Sequence, residues 1–420
     1  MYNRAKTPGF AAGLAMLSML LASPAWSGVA SQASDGKIVF SNSWSLPPSS
    51  PGGAGTQGRN LYVLYPDTKV ATPITPQSPQ VSAGSPTWSP GGHHIAAYVV
   101  DSSNNPAAVS GIAVMDDHGG NLHYLPATRV GSTNQAPLAW SPNLAINKIA
   151  FASYSANSGG VCLSLANPDG SGATDLFCPS NVTNYTSGVN SIVWSKDGSA
   201  LLVTIQYIEY GEFDYHYITD IYEVCLDGST RLVFNEQWPD LYHQVSNVSW
   251  SPDRSWMVFA DGSTGVFRVD LATGTKTPLA PDSLNAGFNP LLSPDGRQIV
   301  FEKNDPLGQG PSRVSTDLYV MNADGSGLQP LTAPVTDPAN SGHFYTPGAW
   351  SADGKRLLVY RNDYTVTNQG TQVTQTYDLN IITVQDGSQV VLLQDNGQGP
   401  ASAIPSVQAG AWFQPASMGW

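Results

Sequence analysis

The stretch that decides the fold is Trp194-Ser195-Lys196-Asp197-Gly198, followed by the apolar segment 201–205. Asp-Gly supplies the positive φ that a tight turn needs, so we expect the turn to join two antiparallel strands. The same element recurs along the chain, once with Leu in place of Trp. Its copies begin at Trp88, Trp140, Trp194, Trp250, Leu292 and Trp350.

Each copy is followed by a second hairpin, which is clearest in residues 318–332. There Asp324-Gly325 lies between two apolar stretches, the first of them Leu318-Tyr319-Val320-Met321. Four strands per repeat is the composition of a propeller blade. A β-sandwich with coincidental turns is the alternative, and the regular recurrence of the turn disfavours it.

The two ends of the chain complete the pattern. Residues 35–41 and 61–75 resemble a repeat that lacks its opening Trp-Ser strand, and residues 410–415, with Trp412, resemble that missing strand. Pairing the two ends would leave no open sheet edge. We therefore predict an all-β, seven-bladed β-propeller of four-stranded antiparallel blades, closed by pairing of its N- and C-terminal strands. Six or eight blades remain alternatives because the repeat that starts at Trp250 is short.

These hairpins resemble the WSPDG-type repeats of the TolB-like propeller family from residue 35 onward. That family includes periplasmic scaffold proteins, propeller domains of prolyl-oligopeptidase-like peptidases and some propeller polysaccharide lyases. The resemblance implies a propeller and leaves the function open. Two departures from it matter: we expect neither the separate amino-terminal domain of TolB, for which residues 28–34 leave no room, nor the hydrolase domain of the peptidases.

The first residues have the layout of a secretory signal peptide. Arg4 and Lys6 precede an apolar run, and Pro24 and Ala25-Trp26-Ser27 follow it. We predict a signal peptide over 1–27 and a single propeller domain over 28–420, hence an exported protein in the periplasm or the medium. Cleavage after Ala30 and retention as a membrane anchor are the alternatives; no later apolar run predicts a membrane span in the mature chain.

The formal net charge of −13 repels phosphate backbones, so nucleic acid is not an expected partner. Long connections are predicted on one face of the propeller, where a rigid scaffold commonly carries binding groups. The richest sector combines aromatic and acidic side chains, which suit sugars or peptide side chains. The predicted binding residues are Tyr207, Glu209, Tyr210, Glu212, Asp214, Tyr215, Tyr217, Trp238, Tyr242 and Tyr345. The alternative is that residues 206–219 extend the middle strands into a long hairpin packed on its neighbours.

The sequence contains no G-x-S-x-G nucleophile elbow, H-E-x-x-H zinc motif, P-loop or EF-hand pattern, and we expect neither a cofactor nor a metal. If the protein is an enzyme, His216, His243 and His343 are the candidate bases or metal ligands because they share the long-loop face. Propeller lyases that the chain resembles use His with a divalent metal to remove a proton beside a uronate carboxylate.

Cys162 and Cys178 flank the hairpin turn at Gly170 at equal distances, so they could form a disulfide in an exported protein. Cys225 is expected to be a buried free thiol.

The sequence therefore predicts a non-catalytic binding or scaffold module of the cell envelope. Its partner would be a protein, a peptide or an envelope glycan bound through the long-loop face. The alternative is a polysaccharide lyase or another glycan-active enzyme that uses His and a divalent metal, and a third possibility is a purely structural envelope protein with no discrete site. The oligomeric state is not indicated.

Overall fold

A computed structural model describes residues 36–46, 56–76, 78, 80–103, 109–125, 137–155, 160–180, 188–210, 215–238, 245–261, 265–279, 287–306, 314–333, 341–367, 372–395 and 410–413. Within these ranges every regular element is a β-strand, as predicted. No helix in them has the length and apolarity needed to cross a bilayer. The predicted signal peptide, residues 1–27, lies outside the described residues.

The strands follow one another in chain order. The first fourteen are β1 (Lys37–Leu46), β2 (Thr56–Tyr65), β3 (Val70–Pro73), β4 (Val81–Trp88), β5 (His94–Asp101), β6 (Val109–Asp116), β7 (His123–Tyr124), β8 (Leu138–Trp140), β9 (Ile149–Ser155), β10 (Gly160–Ala166), β11 (Thr174–Phe177), β12 (Gly188–Trp194), β13 (Ala200–Tyr210) and β14 (Tyr215–Cys225). The remaining strands are β15 (Thr230–Trp238), β16 (Val245–Trp250), β17 (Trp256–Asp261), β18 (Gly265–Asp270), β19 (Lys276–Pro278), β20 (Gly287–Leu292), β21 (Gln298–Pro306), β22 (Val314–Asn322), β23 (Gln329–Pro330), β24 (Ser341–Trp350), β25 (Arg356–Thr367), β26 (Gln372–Thr383), β27 (Gln389–Asp395) and β28 (Gly410–Phe413).

Antiparallel pairing groups successive strands in fours, and we call each group a unit. Unit II is β4–β7, unit III β8–β11, unit IV β12–β15, unit V β16–β19, unit VI β20–β23 and unit VII β24–β27. Unit I combines the chain ends, because β28 pairs antiparallel with β1, which continues to β2 and β3. Single parallel bridges link β2 to β4 and β22 to β24. The predicted pairing of the chain ends is thus present, whereas the blade number and a closed ring remain predictions.

Side chains on both faces of a unit are apolar, because each unit packs between two others. Along β17, for example, Met257 and Phe259 contribute to the core shared with unit IV, and Trp256 and Val258 to the core shared with unit VI. Successive side chains of a strand point to opposite faces, so one strand supplies two cores. The repeat sequence therefore dictates stacked sheets rather than isolated ones.

The recurring Trp residues tie neighbouring units together. The indole N–H of Trp194 donates to the Ala139 carbonyl at 3.1 Å, that of Trp250 to the Trp194 carbonyl at 3.0 Å, and that of Trp350 to the Leu291 carbonyl at 3.1 Å. In each case the acceptor lies on the first strand of the preceding unit. A buried Trp needs a partner for its N–H, and this arrangement supplies one.

The recurring Asp residues form the turns. Ser251 Oγ donates to Asp253 Oδ1 at 2.6 Å, and the backbone N–H of Ser255 donates to the same oxygen at 3.1 Å. Gly198 has a φ of +73°, and Arg254 holds the same turn position in unit V with a φ of +60°. These carboxylates are occupied by local turn formation.

Candidate functional site

The predicted loop over 206–219 is largely a hairpin in the structure. Strands β13 and β14 pair without interruption from Ala200↔Cys225 to Tyr210↔Tyr215. This corrects the expectation of a long connection and agrees with the alternative that the middle strands extend into a long hairpin, since alternating aromatic and polar residues satisfy a strand as well as a loop. Glu212 and Asp214 at its tip lie outside the described residues, and for Tyr210 and Tyr215 the structure describes only the backbone pairing.

The aromatic residues of this hairpin are divided between two faces. Tyr207 packs against the core shared by units III and IV, whereas Tyr217 packs against the core shared by units IV and V. The division follows from register, because Tyr217 pairs with Ile208, the neighbour of Tyr207. These two rings therefore do not form one continuous patch.

Tyr207 is also held in a hydrogen-bonded group around the buried carboxylate of Asp220. Its hydroxyl donates to Asp220 Oδ2 at 3.3 Å, Tyr222 donates to the same oxygen at 3.4 Å, and Asn235 Nδ2 donates to Oδ1 at 2.6 Å. Burial, followed by the Asp220 charge, raises the pKa of Tyr222 to about 12. The Tyr222 hydroxyl is therefore a neutral donor at physiological pH. The hydrogen bonds of this group join strands β13, β14 and β15 of unit IV.

Trp238 is a core residue, with only 5 % of its surface exposed. Its indole N–H donates to Thr219 Oγ1 at 3.2 Å, and the Lys276 ammonium lies 4.8 Å from its ring centre. The side chains of Glu209 and His216, which pair across the hairpin, lie nearer the surface: Glu209 is exposed and His216 half-buried. Tyr242 and His243 lie outside the described residues.

His343 and Tyr345 lie in β24 of unit VII, not in a long loop as expected. His343 lies three units after His216 in the chain, and neither residue belongs to a group of three or more potential metal ligands among the described residues. Only 5 % of the His343 surface is exposed, and its Nε2 lies 2.8 Å from Asp317 Oδ1 of unit VI. Thr332 Oγ1 donates to the same carboxylate oxygen at 2.8 Å.

Further titratable side chains lie next to Tyr345, which packs against His343. Tyr345 packs edge-on against His343 with ring centres 4.8 Å apart, and the Arg361 guanidinium lies 5.3 Å from the Tyr345 ring. Arg361 Nε donates to Asp363 Oδ1 at 2.8 Å. Burial raises the pKa of Tyr345, and burial together with the nearby Asp363 raises the pKa of Asp378. Buried titratable groups with shifted pKa values are candidates for function or for structural pairing.

An aromatic surface that we did not predict lies on the opposite face of the same strands. Phe344 is 38 % exposed and stacks on Tyr364 with ring centres 5.8 Å apart, and Tyr360 stacks on Tyr377 at 6.1 Å. We call these four residues the aromatic ladder. Tyr360 and Tyr364 lie four residues apart on one strand and hence share a face, which the sequence indicates once β25 is known to extend to Thr367.

Two groups of potential metal ligands occur among the described residues, and each is engaged internally. The first group consists of Cys162, Asp175 and Cys178. Cys162 and Cys178 form a disulfide with their Cα atoms 4.3 Å apart, so their sulfur atoms are already bonded. In the second group, Asp117 is bonded to Lys37 and to His118. Cys225 is a partly buried free thiol.

No known family model matches the sequence, and no curated protein matches it. Among solved structures, the chain is similar to a prolyl endopeptidase, with a TM-score of 0.55 and 14 % identity over 90 % of this chain and 52 % of that one. An oligogalacturonate lyase from Vibrio parahaemolyticus gives a TM-score of 0.51 and 9 % identity over 86 % of each chain. A putative TolB from Agrobacterium tumefaciens gives 0.37 and 17 % over 71 % and 89 %, a TM-score too low to bear on the fold.

At these identities the likeness concerns the fold alone. The first two neighbours are propeller proteins, so the chain has a propeller-type fold of four-stranded antiparallel sheets. The chain spans about half the length of the prolyl endopeptidase.

Proposed function

We propose that the protein is exported after removal of residues 1–27 and that residues 28–420 form a closed, seven-bladed propeller. Its function is to bind a partner without catalysis, through the face that carries the long hairpins. The pairing of β1 with β28 supports closure. So does a core in which Ile38, Phe40 and Leu64 of unit I pack against Leu358 and Leu379 of unit VII.

The observation that carries the binding proposal is the aromatic ladder on the extended strands of unit VII. Strands β25 and β26 are each 12 residues long, against 6 each for β17 and β18. The extension carries Tyr364 of β25, with Phe344 of β24 stacked on it, beyond the apolar core that Leu358 and Leu379 form on the same face. Paired rings offer flat contact area at low entropic cost, and the hydroxyl of Tyr364 adds a polar edge.

The partner class is a protein, a peptide segment or a cell-envelope glycan. Aromatic rings stack on sugar faces and on apolar side chains alike, and the net charge of −13 disfavours a polyanionic partner. The predicted binding residue Glu209, which is exposed, is proposed as a second, polar contact on the hairpin of unit IV. Tyr210, Glu212, Asp214, Tyr215 and Tyr242 remain proposed contacts of that same sector.

The proposal is tested with a double variant, Phe344→Ala with Tyr364→Ala, and with soluble peptidoglycan fragments as the probe because they combine glycan and peptide. Isothermal titration should detect binding to the native protein and at least a tenfold weaker affinity for the variant, at an unchanged melting temperature. Leu232→Ala, at an exposed apolar position on β15, is the matched control and should bind like the native protein. An affinity of the double variant equal to that of the native protein would show that the aromatic ladder is not part of the binding site.

One observation favours the enzymatic alternative, the buried pair of His343 and Asp317. A carboxylate fixes the orientation of an imidazole in many general bases and metal ligands. The test incubates the protein with manganese and polygalacturonate and follows the ultraviolet absorbance of an unsaturated product. The binding proposal predicts no product; product formation that His343→Ala abolishes would establish the lyase instead.

A further inference from the structure

A lysine ammonium lies between two carboxylates where units IV and V meet. Lys276 on β19 places its Nζ 2.9 and 2.7 Å from the two carboxylate oxygens of Glu236 on β15. Asp261, the last residue of β17, has its Oδ2 3.8 Å from the same nitrogen. Neither the binding proposal nor the enzymatic alternative uses these three groups.

Aromatic rings enclose the lysine. The Nζ atom lies 4.2 Å from the ring centre of Phe267, 4.8 Å from that of Trp238, 5.7 Å from that of Phe259 and 6.0 Å from that of Phe234. Asp261 is only 1 % exposed, while Glu236 and Lys276 retain limited access to solvent. The four rings and the burial of Asp261 limit the access of water to the space between the amine and the carboxyl groups.

The three groups have the chemical roles that amide formation needs. A lysine amine that has passed a proton to Glu236 is a nucleophile, the Asp261 carboxyl group is its electrophile, and Glu236 can carry the protons between them. Holding the reacting atoms in contact removes most of the entropic cost of the encounter. Asp261 is the electrophile because it is the more deeply buried acid, and Glu236 is the proton carrier because it contacts Nζ through both oxygens.

We propose that Lys276 and Asp261 become joined by an intramolecular amide bond in the folded protein, with Glu236 as the proton shuttle. The bond between Lys276 Nζ and Asp261 Cγ forms, and one C–O bond of the Asp261 carboxyl group breaks. The departing oxygen takes two protons that originate from the lysine ammonium and leaves as water. The step requires no oxidant, reductant or co-reactant.

The bond has a defined structural consequence. It links the outer strand β19 to β17 across β18, because Lys276 extends over Phe267 to reach Asp261. An outer strand of three residues has few backbone hydrogen bonds to hold it, so a covalent tie would fix the edge of unit V.

Intact-mass spectrometry of the denatured full chain is the test. Once disulfide formation is counted, the native protein should be lighter than its sequence by one molecule of water. Tandem spectra of a protease digest should show one branched peptide containing both Lys276 and Asp261. A native chain at its full sequence mass would overturn the proposal and leave an ion pair.

Three variants locate the bond. Lys276→Arg keeps the positive charge but cannot form the amide, so its mass deficit should disappear; Asp261→Ala should behave in the same way. Glu236→Gln should accumulate the lighter species at least tenfold more slowly after refolding. A deficit that persists in Lys276→Arg, or a branch at Glu236, would contradict the assignment even if every variant folds.

Discussion

Glu302 shows how one buried side chain makes stability depend on pH. It lies on β21 with 7 % of its surface exposed, and Asn289 Nδ2 donates to its Oε1 at 2.7 Å. Asn289 in turn accepts from Asn247 Nδ2 at 3.0 Å, so the carboxyl group ends a polar chain that links units V and VI. Burial raises the pKa of Glu302 to about 7, although its hydrogen bonds with Asn289 and Thr346 act in the opposite direction.

The raised pKa gives a prediction for Glu302→Gln. The folded protein binds a proton more tightly than the unfolded chain, so the stability that the neutral carboxyl provides is complete below about pH 4.5 and is lost as the pH rises through about 7. The amide stays neutral, so the variant should gain up to about 3 kcal/mol over the native protein above pH 7 and little at pH 4.

Urea unfolding at pH 4.5, 6 and 8 measures this difference. Glu209→Gln, at an exposed position, is the control and should track the native protein at every pH. A stability difference for Glu302→Gln that does not change with pH would contradict the assignment.

Trp238 gives a second prediction. The sequence analysis predicts that it contacts a partner, whereas in the structure it lies in the core. Trp238→Ala should lower the free energy of unfolding by about 3–5 kcal/mol, since a large buried ring and its contact with Lys276 are lost. Phe344→Ala, at a surface ring, should cost less than about 1 kcal/mol. Thermal unfolding of the two variants compares them, and equal losses would mean that one of the two placements is wrong.

At the scale of the element, Gly342 sets the geometry of the aromatic ladder. A Cβ atom at this position would lie 2.2 Å from the ring of Tyr364, so the ring must move if Gly342 becomes Ala. Because the clash involves the far end of a flexible side chain, we expect Gly342→Ala to change the melting temperature little.

The binding proposal predicts that Gly342→Ala weakens the peptidoglycan-fragment interaction, measured by the same titration. Gly188→Ala is the matched control: Gly188 also lies in the first strand of a unit, and its added methyl group meets no atom within 4 Å. An unchanged affinity of Gly342→Ala for the fragments would show that the aromatic ladder is not part of the binding site.

The elements differ in how well the sequence predicts them. The hairpins at the Trp-Ser turns were predictable because Asp-Gly chemistry is local and recurs in register. The lengths of β13, β14 and β24 were not, because alternating Tyr, Glu and Thr residues suit a strand and a surface loop equally. The pairing of His343 with Asp317 joins residues 26 positions apart on two units, so only the packing of those units reveals it.

The same distinction applies to the candidate site. Composition pointed to the aromatic sector around Tyr207, Tyr217 and Trp238, but the register of β13, β14 and β15 turns these rings towards two different cores. The ladder on unit VII was missed because its four rings come from three strands. They meet only through cross-strand pairing.

In the whole molecule, one apolar core lies between each unit and the next unit along the chain. Each of seven clusters among the described residues joins two consecutive units, and the last returns from unit VII to unit I. Such a cycle supports a closed ring, in which no unit leaves an apolar face uncovered. A ring also explains why the two chain ends share one unit.

Hydrogen exchange of the backbone amides tests closure most directly, with the native chain compared with one that ends at residue 409. Ring closure predicts that Lys37–Phe40, which pair with Phe413–Gly410, exchange as slowly as the central strand β17 in the native chain. In the shortened chain the amides of these residues that donate to β28 should lose their protection, those that donate to β2 should keep it, and the melting temperature should fall. Rapid exchange of β1 in the native chain, or no change on shortening, would contradict the closed seven-unit ring.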